Sequence, residues 1–299
     1  MTTILLTGKT GQVGWELQRT LAPLGRVIAW DRVQMDLTDT NAIRSTIRDV
    51  APDIIVNAAA YTAVDKAESE PALVMQVNAI APGIMAEEAK RIGAVLVHYS
   101  TDYVFDGTQS APYTEDDRPN PLNIYGKSKL EGERAISVSG CKHLILRTSW
   151  IYSNRGLNFV LTILKLARER QELAVVNDQI GSPTWAPALA GTTAELLRRA
   201  HRLDKETGIY HLAANGSTSR FDFARKIIAL AQKVSGNEPG WASIRPITTK
   251  DYPLPAARPL NSATSKDKIK QTFGIEMSSW ESQLQACLTG MFSADPLSK

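Results

Sequence analysis

The stretch PLNIYGKSKL, residues 121–130, places a tyrosine four positions before a lysine. Residues i and i+4 of a helix share one face, so Tyr125 and Lys129 are predicted to lie side by side. A phenol ordinarily loses its proton near a pKa of about 10, and a nearby ammonium lowers that pKa by favouring the phenolate. The pair is therefore typical of a proton donor whose pKa is brought toward the working pH.

The apolar run AVLVHYS ends at the polar residue Ser100, and Thr101 and Asp102 follow it. If this run is a strand of an open parallel sheet, its carboxyl end faces the ligand crevice. The hydroxyl of Thr101 would then orient a substrate oxygen next to Tyr125. Lys129 would also hold a nicotinamide ribose. Together these groups predict a device that delivers a proton beside a hydride donor.

Three glycines in TILLTGKTGQVGWELQRTL lie between a predicted strand and a predicted helix. In that context Gly8 allows a tight turn, Gly11 lets the backbone approach a pyrophosphate, and Gly14 lets helix and strand pack closely. The helix N-terminus would offer N–H groups and a positive dipole end to the phosphates. The alternative is a glycine turn that binds no ligand.

The next strand, RVIAW, ends at Asp31. An acid at this position holds the adenosine ribose and disfavours a 2′-phosphate, whereas Arg32 would receive one, so both NADH and NADPH remain possible. Asp36 is predicted either to reach the adenine edge or to be a solvated loop acid. The small residues of NAAAYT, 57–62, would let a coenzyme lie against the backbone or would simply pack a strand end.

The positioning elements follow from the alternation of short apolar runs with amphipathic stretches. TILLTG, RVIAW, DIIVNAA, AVLVHYS and KHLILRTSW predict buried strands, and the segments between them predict helices. This pattern predicts an α/β fold, a Rossmann-type doubly wound parallel sheet. Residues 1–150, with returns at about 184–214, are expected to form the dinucleotide-binding domain. About 151–183 and 215–299 are expected to form a smaller, mostly C-terminal α/β substrate domain.

Composition excludes several classes of protein. The 299 residues are 43% hydrophobic and 22% charged, and a net charge of +3 without a basic tract argues against nucleic acid. Cys141 and Cys287 have no spacing typical of a disulfide framework or metal site, so free thiols in a reducing compartment are expected. With neither a signal-peptide pattern nor a long apolar run, a cytoplasmic location is expected.

Five motifs, STDYVFDG, PLNIYGKSKLEGE, LRTSWIYS, NDQIGSPTW and RPLNS, resemble the extended short-chain dehydrogenase/reductase family, whose members act on nucleotide sugars. The likeness covers most of the chain. It is strongest to members that reduce the C4 keto group of dTDP-4-dehydro-L-rhamnose with NADPH or NADH. That reaction is the last step in making dTDP-L-rhamnose for cell-surface polysaccharide.

The resemblance also implies site residues. It implies Tyr125 as the proton donor, Lys129 as its partner and Thr101 as the third catalytic member. The implied coenzyme contacts, which also include Tyr125 and Lys129, are Gly11, Gln12, Val13, Asp31, Asp36, Leu37, Ala60, Tyr61, Thr62 and Tyr99. The implied substrate contacts are Thr101, Asp102, Tyr125 and Trp150, with Arg258 and Asn261 near the diphosphate.

Two of these assignments have a physical reason and an alternative. Trp150 offers a flat apolar face to a sugar or base, although a tryptophan at a strand end is as often a core residue. Arg258 presents a planar fork suited to a diphosphate, or is a surface arginine in a Pro-rich loop.

Other functions remain open at this stage. A nucleotide-sugar 4,6-dehydratase would have Thr-Asp-Glu where this chain has Thr101-Asp102-Tyr103, and tyrosine does not replace that base. A 4-epimerase is not excluded. A regulatory subunit such as that of methionine adenosyltransferase would need the glycine turn without the three catalytic residues.

The same resemblance raises the question of assembly. Some members dimerise through glutamates that share Mg²⁺. Here Glu16 matches one such position, but Pro187 and Gly290 stand at the other two. Because Mg²⁺ needs several oxygen ligands, we expect no metal site, and a monomer or a weak homodimer without a bridging metal.

Overall fold

A computed structural model of the chain describes residues 1–199, 206–237 and 239–293. Its strands are β1 Thr3–Thr7, β2 Arg26–Trp30, β3 Ile54–Asn57, β4 Val95–Thr101, β5 Lys142–Thr148, β6 Ile151–Tyr152, β7 Glu172–Val176, β8 Ile180–Gly181, β9 Thr184–Trp185, β10 Gly208–His211, β11 Thr218–Ser219 and β12 Ser243–Ile247. Its α-helices are α1 Gln12–Leu21, α2 Thr40–Val50, α3 Val64–Ala67, α4 Pro71–Met75, α5 Ala81–Ile92, α6 Ile124–Ser139, α7 Phe159–Glu169, α8 Ala186–Arg198, α9 Arg220–Val234, α10 Asp267–Phe273 and α11 Trp280–Ser293. A π-helix, Gln76–Ile80, precedes α5, and 3₁₀ turns span Ala22–Leu24, Asp102–Val104 and Thr249–Asp251.

A six-stranded sheet in the order β10-β5-β4-β3-β1-β2 forms the centre of the molecule, and every neighbouring pair in it is parallel. The five apolar runs form five of these strands, and GIYH forms the sixth, β10. The strand order reverses between β1 and β3, which opens a crevice at the carboxyl ends of the strands. The prediction of a Rossmann-type doubly wound parallel sheet is confirmed.

Both faces of this sheet are covered by helices, which explains why its strands read as continuous apolar runs. Leu6 of β1 packs in a core that includes α1 and α8, with Leu17 and Leu189 fully buried. Leu5 points the other way, into a core shared with α2 and α5. Successive side chains of a strand alternate between faces, so one short run contributes to both cores.

A third core lies outside the sheet, where α7, α9 and α11 pack with the short strands, and Val160, Phe223 and Leu284 are fully buried in it. Most of this core comes from the ranges expected to form the substrate domain, whereas α8 and β10 pack with the sheet. The domain boundaries themselves stay a prediction. Their portions at 200–205, 238 and 294–299 lie outside the described residues.

Within the described ranges, no helix combines the length and the apolar character needed to cross a membrane.

Candidate active site

A cleft of about 780 Å³ opens at the carboxyl ends of the parallel strands, where the strand order reverses. Its walls come from the glycine turn after β1, the ends of β2, β3 and β4, the start of α6, and side chains beyond Trp150. This volume lies within the range of about 300–1,000 Å³ typical of ligand sites. The glycine turn and the tyrosine–lysine pair, far apart in the chain, therefore meet in one cleft.

The glycine turn is built so that side chains are excluded. Gly8 has φ +74°, and a Cβ atom there would lie 2.7 Å from the backbone nitrogen of Ala59. A Cβ on Gly14 would lie 2.0 Å from the carbonyl oxygen of Gly8, so this glycine allows α1 to pack on the turn rather than lining the cleft. These are the roles that the sequence pattern predicts for the first and third glycines.

Helix α1 begins at Gln12, and its N-cap Gly11 provides no side-chain cap. The first N–H groups of the helix are thus left to bind an anion at the positive end of the helix dipole. The loop between β6 and α7 lies against this end of the helix, because Ser153 Oγ and Asn158 Nδ2 donate to Gln12 Oε1 at 2.9 and 3.1 Å. The arrangement fits a dinucleotide pyrophosphate.

The adenosine end is electrostatically mixed. Asp31 Oδ1 accepts from the backbone N–H of Val33 at 2.9 Å, and Oδ2 lies 3.3 Å from Lys9 Nζ. The Val33 N–H and then Lys9 keep the pKa of Asp31 below its ordinary value, so the acid is ionised at neutral pH. Arg32 donates to Asp36 Oδ2 at 3.2 Å on the exposed side. Two carboxylates and two cations thus lie together at the end of β2.

The other coenzyme residues implied by the resemblance also line the cleft. They are Gly11, Gln12, Val13, Asp36, Leu37, Ala60, Tyr61, Thr62, Tyr99, Tyr125 and Lys129.

Helix α6 positions Tyr125 in its first turn because Asn123 caps the helix. The Asn123 side chain accepts from the N–H of Gly126 at 2.7 Å and donates to the carbonyl of Ala257 at 2.7 Å. Thr101 lies close enough to the Tyr125 hydroxyl to affect its pKa. Burial raises the pKa of Tyr125, and Thr101 only partly offsets this rise. The phenol therefore keeps its proton at neutral pH and can donate it.

Lys129 lines the same cleft but directs its ammonium group toward β4. Its Nζ donates to the carbonyl of Tyr99 at 2.7 Å and lies 3.0 Å from His98 Nε2. Burial lowers the pKa of Lys129 to about 7, against an opposing attraction to Glu133. The expectation that Lys129 lowers the pKa of Tyr125 does not hold in the free protein, because the i+4 spacing fixes the face but not the direction of Nζ.

Polar groups at the carboxyl ends of β4 and β5 complete the part of the cleft that contains Tyr125 and Lys129. Asp102, 2% exposed, accepts from Thr101 Oγ1 at 3.1 Å and from Ser149 Oγ at 2.8 Å. Burial raises the pKa of Asp102 above its ordinary value. The hydroxyls of Ser100 and Thr148 are buried at the cleft without a hydrogen-bond partner among the described residues. These hydroxyls are free to bind a ligand or a water molecule in the cleft.

Arg220, at the start of α9, is a cleft residue that the sequence did not indicate. Its guanidinium carbon lies 3.5 Å from the centroid of the Trp150 ring, and the Tyr103 hydroxyl lies close enough to favour its charged form. Trp150 is held at φ +45°, and a Cβ on Gly181 would lie 2.4 Å from its ring. One ring face, expected to meet a sugar or base, is thus covered by Arg220. The arginine lies inside a helical pattern with no motif to single it out.

Two predicted diphosphate contacts are not among the residues that line the cleft. Arg258 donates to both carboxylate oxygens of Asp65, at 3.0 and 2.7 Å, and to the carbonyl of Ala256 at 2.7 Å. Asn261 donates to the carbonyl of Gln109 at 2.8 Å. Both side chains join loops in the free protein, and their assignment to the diphosphate stays a prediction.

The π-helix Gln76–Ile80 also has a role that the sequence did not reveal. Its Asn78 accepts from the N–H of Tyr61 at 2.8 Å and donates to the Tyr61 carbonyl and to Ser128 Oγ, both at 3.0 Å. Asn78 therefore fixes the cleft-lining segment 60–62 relative to α6. Single turns of π-helix are frequent at functional sites.

Cys141 and Cys287 are buried free thiols. Over the ranges that the structure covers, no group of three or more His, Cys, Asp or Glu side chains is arranged to hold a metal ion. Glu16, the single carboxylate at the positions considered for a shared Mg²⁺, pairs with Arg19 at 3.3 Å.

Comparison with known proteins agrees with this geometry. The family described as RmlD substrate binding domain matches residues 1–292. The dTDP-4-dehydrorhamnose reductases of Salmonella typhimurium and Escherichia coli K12 are 47% and 46% identical over 294 residues, covering 97% of this chain and 98% of theirs. A crystal structure of dTDP-4-dehydrorhamnose reductase from Bacillus anthracis in complex with NADP is similar with a TM-score of 0.87 at 35% identity, covering 97% of this chain and all of that one.

Proposed function

The chain belongs to the RmlD substrate-binding-domain family, and we propose that it reduces the C4 keto group of dTDP-4-dehydro-L-rhamnose with NADPH or NADH. The product, dTDP-L-rhamnose, would supply the synthesis of cell-surface polysaccharide. Relatives that carry the reductase name match nearly the whole chain, so both the coenzyme part and the outer part of the cleft correspond to theirs.

The observation that carries the proposal is the position of Tyr125 and Thr101 in the same cleft as the glycine turn. A carbonyl that receives a hydride becomes an alkoxide and needs a proton at the same moment. Tyr125 carries that proton at neutral pH, and Thr101 lies beside its hydroxyl. An unprotonated phenol would instead act as a base, which the oxidation of an alcohol requires.

The residues present fit a nicotinamide dinucleotide. The start of α1 would hold the pyrophosphate, Asp31 the adenosine ribose, and the segment Ala60–Thr62 would lie along the coenzyme. Bound there, the reduced nicotinamide supplies the hydride. Thr101 and Tyr125 bind and orient the keto oxygen, and Tyr125 delivers the proton to it. Asp102 orients Thr101 through its 3.1 Å hydrogen bond.

Asp31 disfavours a 2′-phosphate, whereas Lys9 and Arg32 attract it, so the proposal includes use of both coenzymes. It also includes a monomer or a weak homodimer without a bridging metal. Glu16 would be a lone carboxylate, which is a poor ligand set for Mg²⁺.

The rival functions lack support at the same positions. A dehydratase needs a carboxylate base beside Asp102, but Tyr103 stands there. A purely regulatory protein would have no need of Thr101, Tyr125 and Lys129 together in the cleft.

The direct test is incubation with dTDP-4-dehydro-L-rhamnose and NADPH or NADH, with the absorbance of the reduced nicotinamide followed over time. The expected result is oxidation of coenzyme that depends on the keto sugar, with dTDP-L-rhamnose as the product. A folded protein that binds coenzyme but does not oxidise it with this substrate would refute the proposed reaction.

A further inference from the structure

A buried polar chain lies behind Lys129. Thr7 Oγ1 donates to Asn57 Oδ1 at 2.7 Å, Asn57 Nδ2 lies 3.0 Å from His98 Nδ1, and His98 Nε2 lies 3.0 Å from Lys129 Nζ. The side chains come from β1, β3, β4 and α6, and none of these four residues is more than 2% exposed. Each hydrogen in this chain must therefore be shared between protein groups.

The orientation of the Asn57 amide fixes the tautomer of His98. Asn57 Oδ1 accepts two hydrogen bonds, from Thr7 Oγ1 at 2.7 Å and from the N–H of Ala59 at 3.3 Å. The amide NH₂ is thereby directed at His98 Nδ1, which must accept. A neutral imidazole carries one N–H, so the proton of His98 is on Nε2. Burial, together with the nearby Lys129, keeps the pKa of His98 well below its ordinary value, so the ring is neutral.

The Nε2–H of His98 then points at Lys129 Nζ. An ammonium has three donors and no lone pair, so an ammonium would face this N–H donor to donor. A neutral amine instead accepts the His98 hydrogen and still donates to the Tyr99 carbonyl. The hydrogen-bond geometry favours the amine.

The charged groups around Lys129 do not reverse this preference. Glu133, one turn further along α6, attracts an ammonium but is bound at both oxygens by Arg147 of β5, at 2.9 and 2.7 Å. Tyr125 on the same helix is a neutral phenol, and the carboxylate of Asp102 is bound by Thr101 and Ser149.

We propose that His98 is a positioning residue that holds Lys129 as a neutral amine in the free protein, and that binding of the anionic dinucleotide converts the amine to an ammonium with uptake of one proton. This inference rests on the coenzyme binding in the proposed function. The negative pyrophosphate favours a positive charge in the cleft, and a ribose hydroxyl gives that charge an acceptor.

The proton balance is simple. The free state holds Lys129 as NH₂ and His98 with its proton on Nε2. The bound state holds Lys129 as NH₃⁺ and His98 with its proton on Nδ1, so one solvent proton is gained. The Asn57 amide must then turn its oxygen toward His98. This rotation breaks the hydrogen bond between Asn57 Oδ1 and the N–H of Ala59, a residue that lines the cleft. The charge on Lys129 is thus linked to the backbone that the coenzyme contacts.

The test is calorimetric titration with NADH, which has no 2′-phosphate to titrate, in buffers of different ionisation enthalpy. Because the pKa of Lys129 is about 7 in the free protein, binding should take up about one proton at about pH 8 and almost none at about pH 6. Over the same interval the affinity should fall about tenfold per pH unit above 7. NADH binding without proton uptake at pH 8 overturns the inference and leaves the reductase proposal intact. Failure of NADH to bind at all overturns both.

His98→Gln tests the role of the imidazole. Its amide oxygen can accept from an ammonium, so Lys129 should already be charged at pH 8, and both the proton uptake and the pH dependence of NADH affinity should disappear. The matched control is His143→Gln, because His143 is also a buried histidine of the sheet, bonded to the Cys141 carbonyl at 2.9 Å and outside the cleft. Proton uptake by His98→Gln equal to that of the parent overturns the inference.

A measurement on the unmodified protein covers the case in which His98→Gln does not fold. Imidazole ¹⁵N chemical shifts distinguish the two neutral tautomers. We expect His98 to be protonated on Nε2 in the free protein and on Nδ1 with NADH bound. An Nδ1–H tautomer in the free protein would overturn the inference.

Discussion

Tyr125→Phe removes the proton that the proposed reaction needs while keeping the ring in place. General acid catalysis typically contributes about 10²–10⁴-fold, so kcat should fall by that factor, equivalent to roughly 2.7–5.4 kcal/mol in the barrier. Folding should suffer much less. The edge-to-face contact of the ring with Tyr103, at 6.0 Å between centroids, survives in phenylalanine.

The structure limits the cost in stability to the hydroxyl group. The nearby Thr101 Oγ1 does not depend on that group, because it donates to Asp102 and accepts from the N–H of Tyr103, both at 3.1 Å. No buried partner is left unsatisfied, so the free energy of unfolding should change by about 1 kcal/mol. A large loss of activity with a small loss of stability is the expected signature.

The assay combines three measurements: turnover of dTDP-4-dehydro-L-rhamnose at saturating coenzyme, coenzyme affinity by titration, and thermal unfolding. Tyr210→Phe is the matched control, since Tyr210 is buried at the far side and its hydroxyl donates to the Glu206 carbonyl at 2.8 Å. It should lose similar stability and keep its kcat. Near-parent kcat in Tyr125→Phe would refute the proton-donor role. Equal losses of kcat in both variants would show that the effect is structural.

Three further outcomes are expected. Asp31→Ala should raise the NADPH/NADH ratio of kcat/KM by about fivefold, because removal of one negative charge near a 2′-phosphate is worth about 1 kcal/mol in water. An unchanged ratio would show that Asp31 does not lie at the ribose. Gel filtration with and without EDTA should give the same elution volume, since Glu16 is a lone carboxylate paired with Arg19; a dimer that dissociates in EDTA would contradict this. Gly14→Ala should lower the free energy of unfolding by at least about 2 kcal/mol, because the added methyl group overpacks the glycine turn. Its control, Gly191→Ala, has open space around the new Cβ and should stabilise α8 by about 0.5–1 kcal/mol. Equal effects of the two substitutions would disprove the packing role of Gly14.

The parts of the fold that were predictable from the sequence are those set by local pattern. A strand buried on both faces needs a continuous apolar run, so β1, β3, β4 and β5 were evident as TILLTG, DIIVNAA, AVLVHYS and KHLILRTSW. The glycine turn was evident because a tight turn and a close helix need glycine at fixed positions. Both signals lie within about 20 residues, and neither requires knowledge of a distant partner.

The parts that were not predictable depend on contacts between distant segments. Arg258 pairs with Asp65, 193 positions away, and this ion pair occupies the guanidinium group in the free protein. The guanidinium group of Arg220 likewise has a partner from a distant segment, because it lies over the ring of Trp150. An arginine takes whichever partner the tertiary arrangement supplies, and no local spacing records which one that is.

The tyrosine–lysine pair shows where spacing stops being informative and geometry decides the chemistry. Spacing predicts a shared face, and from that a lysine that lowers the pKa of the phenol. In the free protein burial raises the pKa of Tyr125. Lys129 does not oppose this rise, and its Nζ is turned to the Tyr99 carbonyl and His98. A phenol that keeps its proton until the coenzyme and the keto sugar are in place is suited to reduction, since the proton is needed only as the hydride arrives. A charge on Lys129 before that point would favour loss of this proton, so a neutral lysine and a protonated tyrosine are consistent states of the same free site.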